Sequence, residues 1–223
     1  MPSGGQPFYM EQSDEMALLT AVRNMRTEQA AGITTVRDCG DQNGVLFALR
    51  RAIAAHHGVD AAQVTVGNGS NDVLDLVART FLGPGCEAVF SDHAFAVYPI
   101  CTQAVGAAAR VAPARHYGHD LDAMAALVGA RTRVVFIANP NNPTGTWLPR
   151  HELRAFLRAL PEHLVVVVDE AYAEYVEIPD YPDASRWLEE FPNLIVTRTF
   201  SKAFGLAGLR VGYGLSHPQV AEL

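Results

Sequence analysis

The chain has 223 residues, long enough to bury one large core, with 49% hydrophobic and 18% charged residues, the proportions of an ordinary globular protein. Its net charge of -7 and scattered basic residues argue against nucleic acid as a partner. Three cysteines, Cys39, Cys86 and Cys101, are odd in number and show no CxxC spacing, so neither a disulfide framework nor structural zinc is expected, and a reducing cytoplasm fits.

The N-terminus, MPSGGQPFYMEQSDEM, has no basic stretch followed by an apolar one, and no apolar run approaches membrane-spanning length, so neither secretion nor a membrane partner is expected. Leu18 to Ala31 reads as an amphipathic helix with Gly32 as its C-cap, ITTV as a short strand and RDCGDQNG as a polar loop. From about Val45 onward helical and strand-like segments alternate, the mark of an α/β fold with a mostly parallel sheet.

Val64 to Val66 reads as a short strand, followed by a glycine-rich turn and a helix that begins near Ser70 in SNDVLDLVARTFLGPG. Such a turn offers free backbone N–H groups and the positive end of a helix dipole to an anion. Its bland reading is a Gly/Asn turn with Ser70 as N-cap. Further on, RVVFIANP, LVVVVDEAY and NLIVTRTFSK are continuous apolar runs ending in polar residues, as strands buried on both faces do. HELRAFLRALP carries apolar residues at helical spacing and supplies a crossover. Ligands of open parallel sheets bind at the carboxyl edge, so Asn139 to Gly145, Asp169 to Tyr172 and Ser201-Lys202 are expected to share one crevice.

The loop ANPNNPTGTW is either a rigid turn or a set of amides with something to bind. Asp169 emerges from four valines, where a carboxylate is costly unless a cation pairs with it, and Arg198 or Arg210 are the candidate structural partners. In TRTFSKAFGLAGLRVGYG a second strand is expected around Arg210 to Leu215. A lysine hemmed in there by apolar neighbours and an arginine would lose its proton readily and act as a nucleophile. Phosphate cradle, amine, buried carboxylate and amide loop together are what pyridoxal phosphate needs: Lys202 to hold it as a Schiff base and shuttle a proton, Asp169 to pair with its pyridine nitrogen.

The motifs GNGSND, NPNNPTG, VVDEAY and TFSKAFGLAGLRVGY stand in an order and near a spacing that resembles the class I/II aminotransferases of fold-type I, most closely their histidinol-phosphate branch, from about residue 54 to the end. The resemblance implies the large α/β/α domain of that fold and an amino transfer between a histidinol-phosphate-like or amino-acid donor and a 2-oxo acid, as in histidine biosynthesis. It implies phosphate contacts from Gly69, Ser70 and Asn71, completed by Ser201 and Arg210. Phe95 would stack on the pyridine ring, Asn142 and Tyr172 would hydrogen-bond its 3' oxygen, and Asp169, Tyr172 and Lys202 would carry catalysis. It also implies a homodimer, and a small C-terminal domain with a substrate-binding arginine that this sequence does not contain. Residues from about 16 to 53 instead resemble a helix and strand of metal-dependent amidohydrolases, without their His-x-His, so no metal is expected. Hence the expected organisation is a segment 1–53 atypical of the family, then a cofactor-binding large domain over 54–223. An alternative stays open: a truncated or fused fragment that binds cofactor without turning over.

Overall fold

The computed structural model describes residues 45–223. The helix expected at Leu18 to Ala31, the ITTV strand and the RDCGDQNG loop lie outside the described residues. Helix α1 (Val45–His57) runs without interruption through the boundary expected at residues 53 and 54, both of which are core residues. Strand β1 (Val64–Gly67) leads into α2 (Ser70–Phe81), followed by β2 (Glu87–Ser91), α3 (Val97–Ala104), β3 (Ala108–Ala112) and α4 (Leu121–Ala126). Then come β4 (Thr132–Ala138), α5 (Arg150–Ala159), β5 (Val165–Asp169), β6 (Leu194–Thr199), β7 (Gly212–Ser216) and the short α6 (Pro218–Ala221).

The seven strands form one sheet in the order β1-β7-β6-β5-β4-β2-β3. Strands β6, β5, β4, β2 and β3 are parallel, while β7 pairs antiparallel with both β6 and β1. The second strand of the lysine region starts at Gly212, not at the expected Arg210, because Arg210 takes a left-handed φ of 52° that closes a 3-10 turn.

The valine runs are explained by two apolar layers. Val135, Ile137, Val166 and Val168 face one core with Ile53 of α1, Met124 of α4 and Leu153, Phe156 and Leu157 of α5. Val134, Phe136, Val165 and Val167 face the other, with Leu74, Val77 and Ala78 of α2 and Tyr98 and Cys101 of α3. Side chains alternate along a strand, so a segment covered on both faces must be apolar throughout. Each such valine, taken from water, contributes on the order of 1.5 kcal/mol or more. The result is the expected three-layer α/β/α arrangement, with polar strand ends gathered at the carboxyl edge.

Candidate active site

The ten residues singled out in the sequence line one cleft at that edge. Gly69, Ser70, Asn71, Phe95, Asn142, Asp169, Tyr172, Ser201, Lys202 and Arg210, joined by Ala138, Pro140, Ala171 and Thr199, enclose about 140 Å³.

The wall formed by the start of α2 is built for a close approach. Gly69, with φ of 83°, is the N-cap, and no side chain caps the helix. Ser70 is the first helical residue, which corrects the reading of Ser70 as cap: Asp72 N–H donates to the Gly69 carbonyl (3.2 Å), and the N–H groups of Ser70 and Asn71 are left to a ligand. A Cβ on Gly69 would lie 2.7 Å from Arg210 Nη2, and one on Gly212 2.1 Å from Ser70 N, so glycine alone lets turn, strand and guanidinium crowd together. Arg210 donates to the carbonyls of Asn68 (3.2 Å) and Ala207 (3.1 Å) and has no carboxylate partner among the described residues. Ser201 Oγ is buried and unpartnered.

Asp169 ends β5 at the cleft, 4% exposed. The expected pairing with Arg198 or Arg210 is absent. Thr197 Oγ1 donates to Asp169 Oδ1 (2.9 Å), Tyr98 OH to Oδ2 (3.1 Å) and Ala171 N–H to Oδ1 (3.3 Å). Register explains this: Thr197 is the β6 residue opposite Asp169, so Arg198 turns to the other face. Burial pushes the Asp169 carboxyl up, while the donors from Thr197, Tyr98 and Ala171 and the charge of Lys202 pull it back.

Tyr98, which the motifs left unassigned, is fully buried, stacked on Phe136 at 4.9 Å and edge-on to Phe95 at 5.8 Å. The only signal for it was an aromatic three residues after Phe95, on the same side of a helix start.

Of the loop's three asparagines, only Asn142 lines the cleft, donating to Tyr172 OH at 3.4 Å. Asn139 holds Leu148 N–H (2.8 Å), and Asn141 donates to the His93 carbonyl (3.0 Å) and Thr144 Oγ1 (2.8 Å), so these two amides fix the loop.

Lys202 is exposed, with Nζ 5.2 Å from the Tyr172 ring centroid and no hydrogen bond or ion pair among the described residues. The apolar enclosure expected for it is not there. The arrangement can hold an anion between the α2 start, Ser201 and Arg210, place a cationic ring atom against Asp169, and present an amine to a carbonyl carbon.

A family model described as aminotransferase class I and II matches residues 7–223. The chain is 63% identical over 183 residues to histidinol-phosphate aminotransferase 2 of Pseudomonas fluorescens, covering 82% of this chain and 49% of that protein. It is 60% identical over 187 residues to the protein of that name from Methylococcus capsulatus, covering 81% and 50%. The crystal structure of histidinol-phosphate aminotransferase from Sinorhizobium meliloti, in complex with pyridoxal-5'-phosphate, superposes with a TM-score of 0.78 at 34% identity, covering 92% of this chain and 53% of that one. The chain thus spans about half the length of the curated relatives it matches.

Proposed function

The chain belongs to the class I and II aminotransferases, and we propose that its cleft binds pyridoxal phosphate and transfers an amino group from a histidinol-phosphate-like or amino-acid donor to a 2-oxo acid. The observation that carries this reading is the anion cradle: an uncapped helix start, a buried hydroxyl without a partner and an arginine without a carboxylate, on one wall of the cleft that holds Asp169 and Lys202. The helix start and Ser201 keep donors that the protein does not use, Arg210 keeps a charge that its two carbonyl contacts do not neutralise, and a phosphate answers all three.

When bound, pyridoxal phosphate supplies an electron-withdrawing pyridinium that stabilises negative charge on a substrate's α-carbon. Ser70 and Asn71 would offer backbone N–H groups, Ser201 a hydroxyl and Arg210 a guanidinium to the phosphate, while Gly69, whose own N–H donates to the Gly67 carbonyl (2.8 Å), would let it approach closely. Asp169, whose three donors favour the carboxylate against the burial that pushes it up, would pair with the ring nitrogen and hold its proton. Asn142 and Tyr172 orient the ring through its 3' oxygen, and Phe95 closes one side and limits water. Lys202 Nζ would be the amine that holds the cofactor and, once free of it, the base and acid that moves the α-proton.

These roles sit in the large domain expected over 54–223, whose core also takes in Ile53 of α1. A homodimer follows from the family reading. The test is an absorbance spectrum with added pyridoxal phosphate, beside Lys202→Ala. A band above about 400 nm that survives dialysis and is lost in the variant supports the site. No band overturns it. A band with no transfer from histidinol phosphate to 2-oxoglutarate supports the fragment reading, a cofactor-binding piece without turnover.

A further inference from the structure

The end of β5 sends two adjacent carboxylates to opposite faces. Asp169 enters the cleft, and Glu170 turns into the layer behind it, where it is 0% exposed. Glu170 accepts from Ala184 N–H at 2.9 Å and from Arg198 Nε and Nη2 at 3.1 and 2.6 Å. Arg198, 11% exposed, also donates to Asp183 Oδ1 at 2.9 Å and lies 3.7 Å from Glu174 Oε1. His57, Tyr181 and Tyr213 are the other titratable groups that feel this cluster.

Arg198 is flanked in β6 by the two residues that shape the cleft. Thr197 donates to Asp169, and Thr199 lines the cleft and accepts from Ser201 N–H at 3.1 Å. The Glu170–Arg198 pair therefore ties the ends of β5 and β6 together from behind, at the level where Asp169 and Ser201-Lys202 leave the sheet. A buried ion pair is weak as a stabiliser, because desolvation offsets most of its attraction, whereas a two-pronged guanidinium contact is demanding in geometry.

We propose that Glu170 and Arg198 are positioning residues for the cofactor site: neither lines the cleft, and together they fix Asp169 relative to Lys202. The inference rests on the cofactor reading above. It predicts that loosening the pair changes how the cofactor is held, beyond any loss of stability.

The experiment compares the full chain with Glu170→Ala, Glu170→Gln and the core control Leu153→Ala, a buried residue of the same apolar layer. Three quantities are read: melting temperature, affinity for pyridoxal phosphate by absorbance titration, and the pH midpoint of the Lys202-dependent band. Glu170→Ala is expected to weaken affinity about tenfold and to move the midpoint. Glu170→Gln, which keeps the length and an accepting oxygen, is expected to show a smaller change in the same direction. Leu153→Ala should lower the melting temperature with affinity and midpoint unchanged. Should Glu170→Ala not fold, Glu170→Gln carries the comparison. Glu170 variants that bind and titrate like the wild-type chain overturn the inference alone. A wild-type chain without the band overturns the cofactor reading and this inference with it.

Discussion

Replacing Gly212 by alanine is the sharpest steric test of the anion cradle. Its backbone φ lies outside the left-handed range, so alanine meets no conformational strain and the effect comes from the added methyl alone. That Cβ would lie 2.1 Å from Ser70 N, 2.3 Å from the Gly69 carbonyl carbon and 2.8 Å from Gly69 Cα. Ordinary contact needs about 3.5 Å, so the turn must withdraw by roughly 1.4 Å. Strand β7 has no room to retreat, since Gly212 pairs with Gly67 on one side and Thr199 on the other. Backbone pressed on backbone places the cost at the upper end of overpacking, about 3 kcal/mol. Displacing Ser70 N by an ångström should weaken phosphate binding about 100-fold. Gly214→Ala is the control: on the same face of β7, its Cβ would press on Val73 Cγ1 at 2.9 Å, with Ile195 Cγ2 at 3.7 Å and Thr65 Cβ at 4.0 Å in ordinary contact, for a stability loss of about 1 kcal/mol and no effect at the cleft. The assay is the ratio of affinities for pyridoxal phosphate and for pyridoxal, which lacks the phosphate, alongside thermal unfolding. The ratio should collapse in Gly212→Ala and hold in Gly214→Ala. A folded Gly212→Ala chain with the wild-type ratio would refute the cradle.

Two further outcomes follow from buried groups. Tyr98→Phe removes one donor from Asp169 and leaves the ring packing, so the Asp169 carboxyl, already pushed up by burial, should rise further; carboxyl NMR on labelled aspartate reads it, and an unchanged titration refutes the assignment. His57 donates to or accepts from Tyr213 OH at 2.9 Å and is held down from 6.5 to about 4, first by burial and then by the charges of Arg198 and His56. Between those values the unfolded chain binds a proton that the folded chain refuses, so stability is full above about pH 6.5 and falls as pH drops toward 4. Discounted for its partial exposure, the loss is roughly 1 to 2 kcal/mol. Urea unfolding from pH 7 to 4 should show a shallower decline in His57→Gln, and parallel curves would count against this account.

The sheet was legible because β4, β5 and β6 carry uninterrupted apolar runs, residues 134–138, 165–168 and 194–196, a pattern that two covered faces require. The three polar strand ends then fall at one edge by parallel direction alone. What one-dimensional reading missed is which face each residue takes. Arg198 and Asp169 look like partners in a list of charges, yet the pairing of Thr197 with Asp169 turns Arg198 away and delivers it to Glu170. The glycine-rich turn was misread for a related reason. Ser70 has the chemistry of a cap, but the cap position takes a left-handed φ of 83° and lies against Arg210, which together favour a residue without Cβ there, and Arg210 is about 140 residues away in sequence. The boundary drawn between 53 and 54 followed a change of motif, whereas α1 carries Ile53 and Ala54 into one core.

Lys202 shows why an exposed amine is consistent with the chemistry proposed for it. Its side chain is unbonded, but the loop beneath it is tied at both ends: Gly205 N–H to the Lys202 carbonyl (2.9 Å), Leu206 N–H to the Phe200 carbonyl (3.0 Å), and Phe200 N–H to the Val211 carbonyl (3.1 Å). Phe200 adds ring contacts to Phe204 and Tyr213 at 5.3 and 5.6 Å. A group that must first hold a cofactor, then leave it and return a proton to a neighbouring carbon has to reach more than one atom. An enclosed ammonium would have a single rotamer and a single target. A fixed Cα with a free four-carbon arm serves several positions at small cost in reorganisation, and the nearby carboxylate of Asp169 and ring of Tyr172 bias that arm toward the cleft.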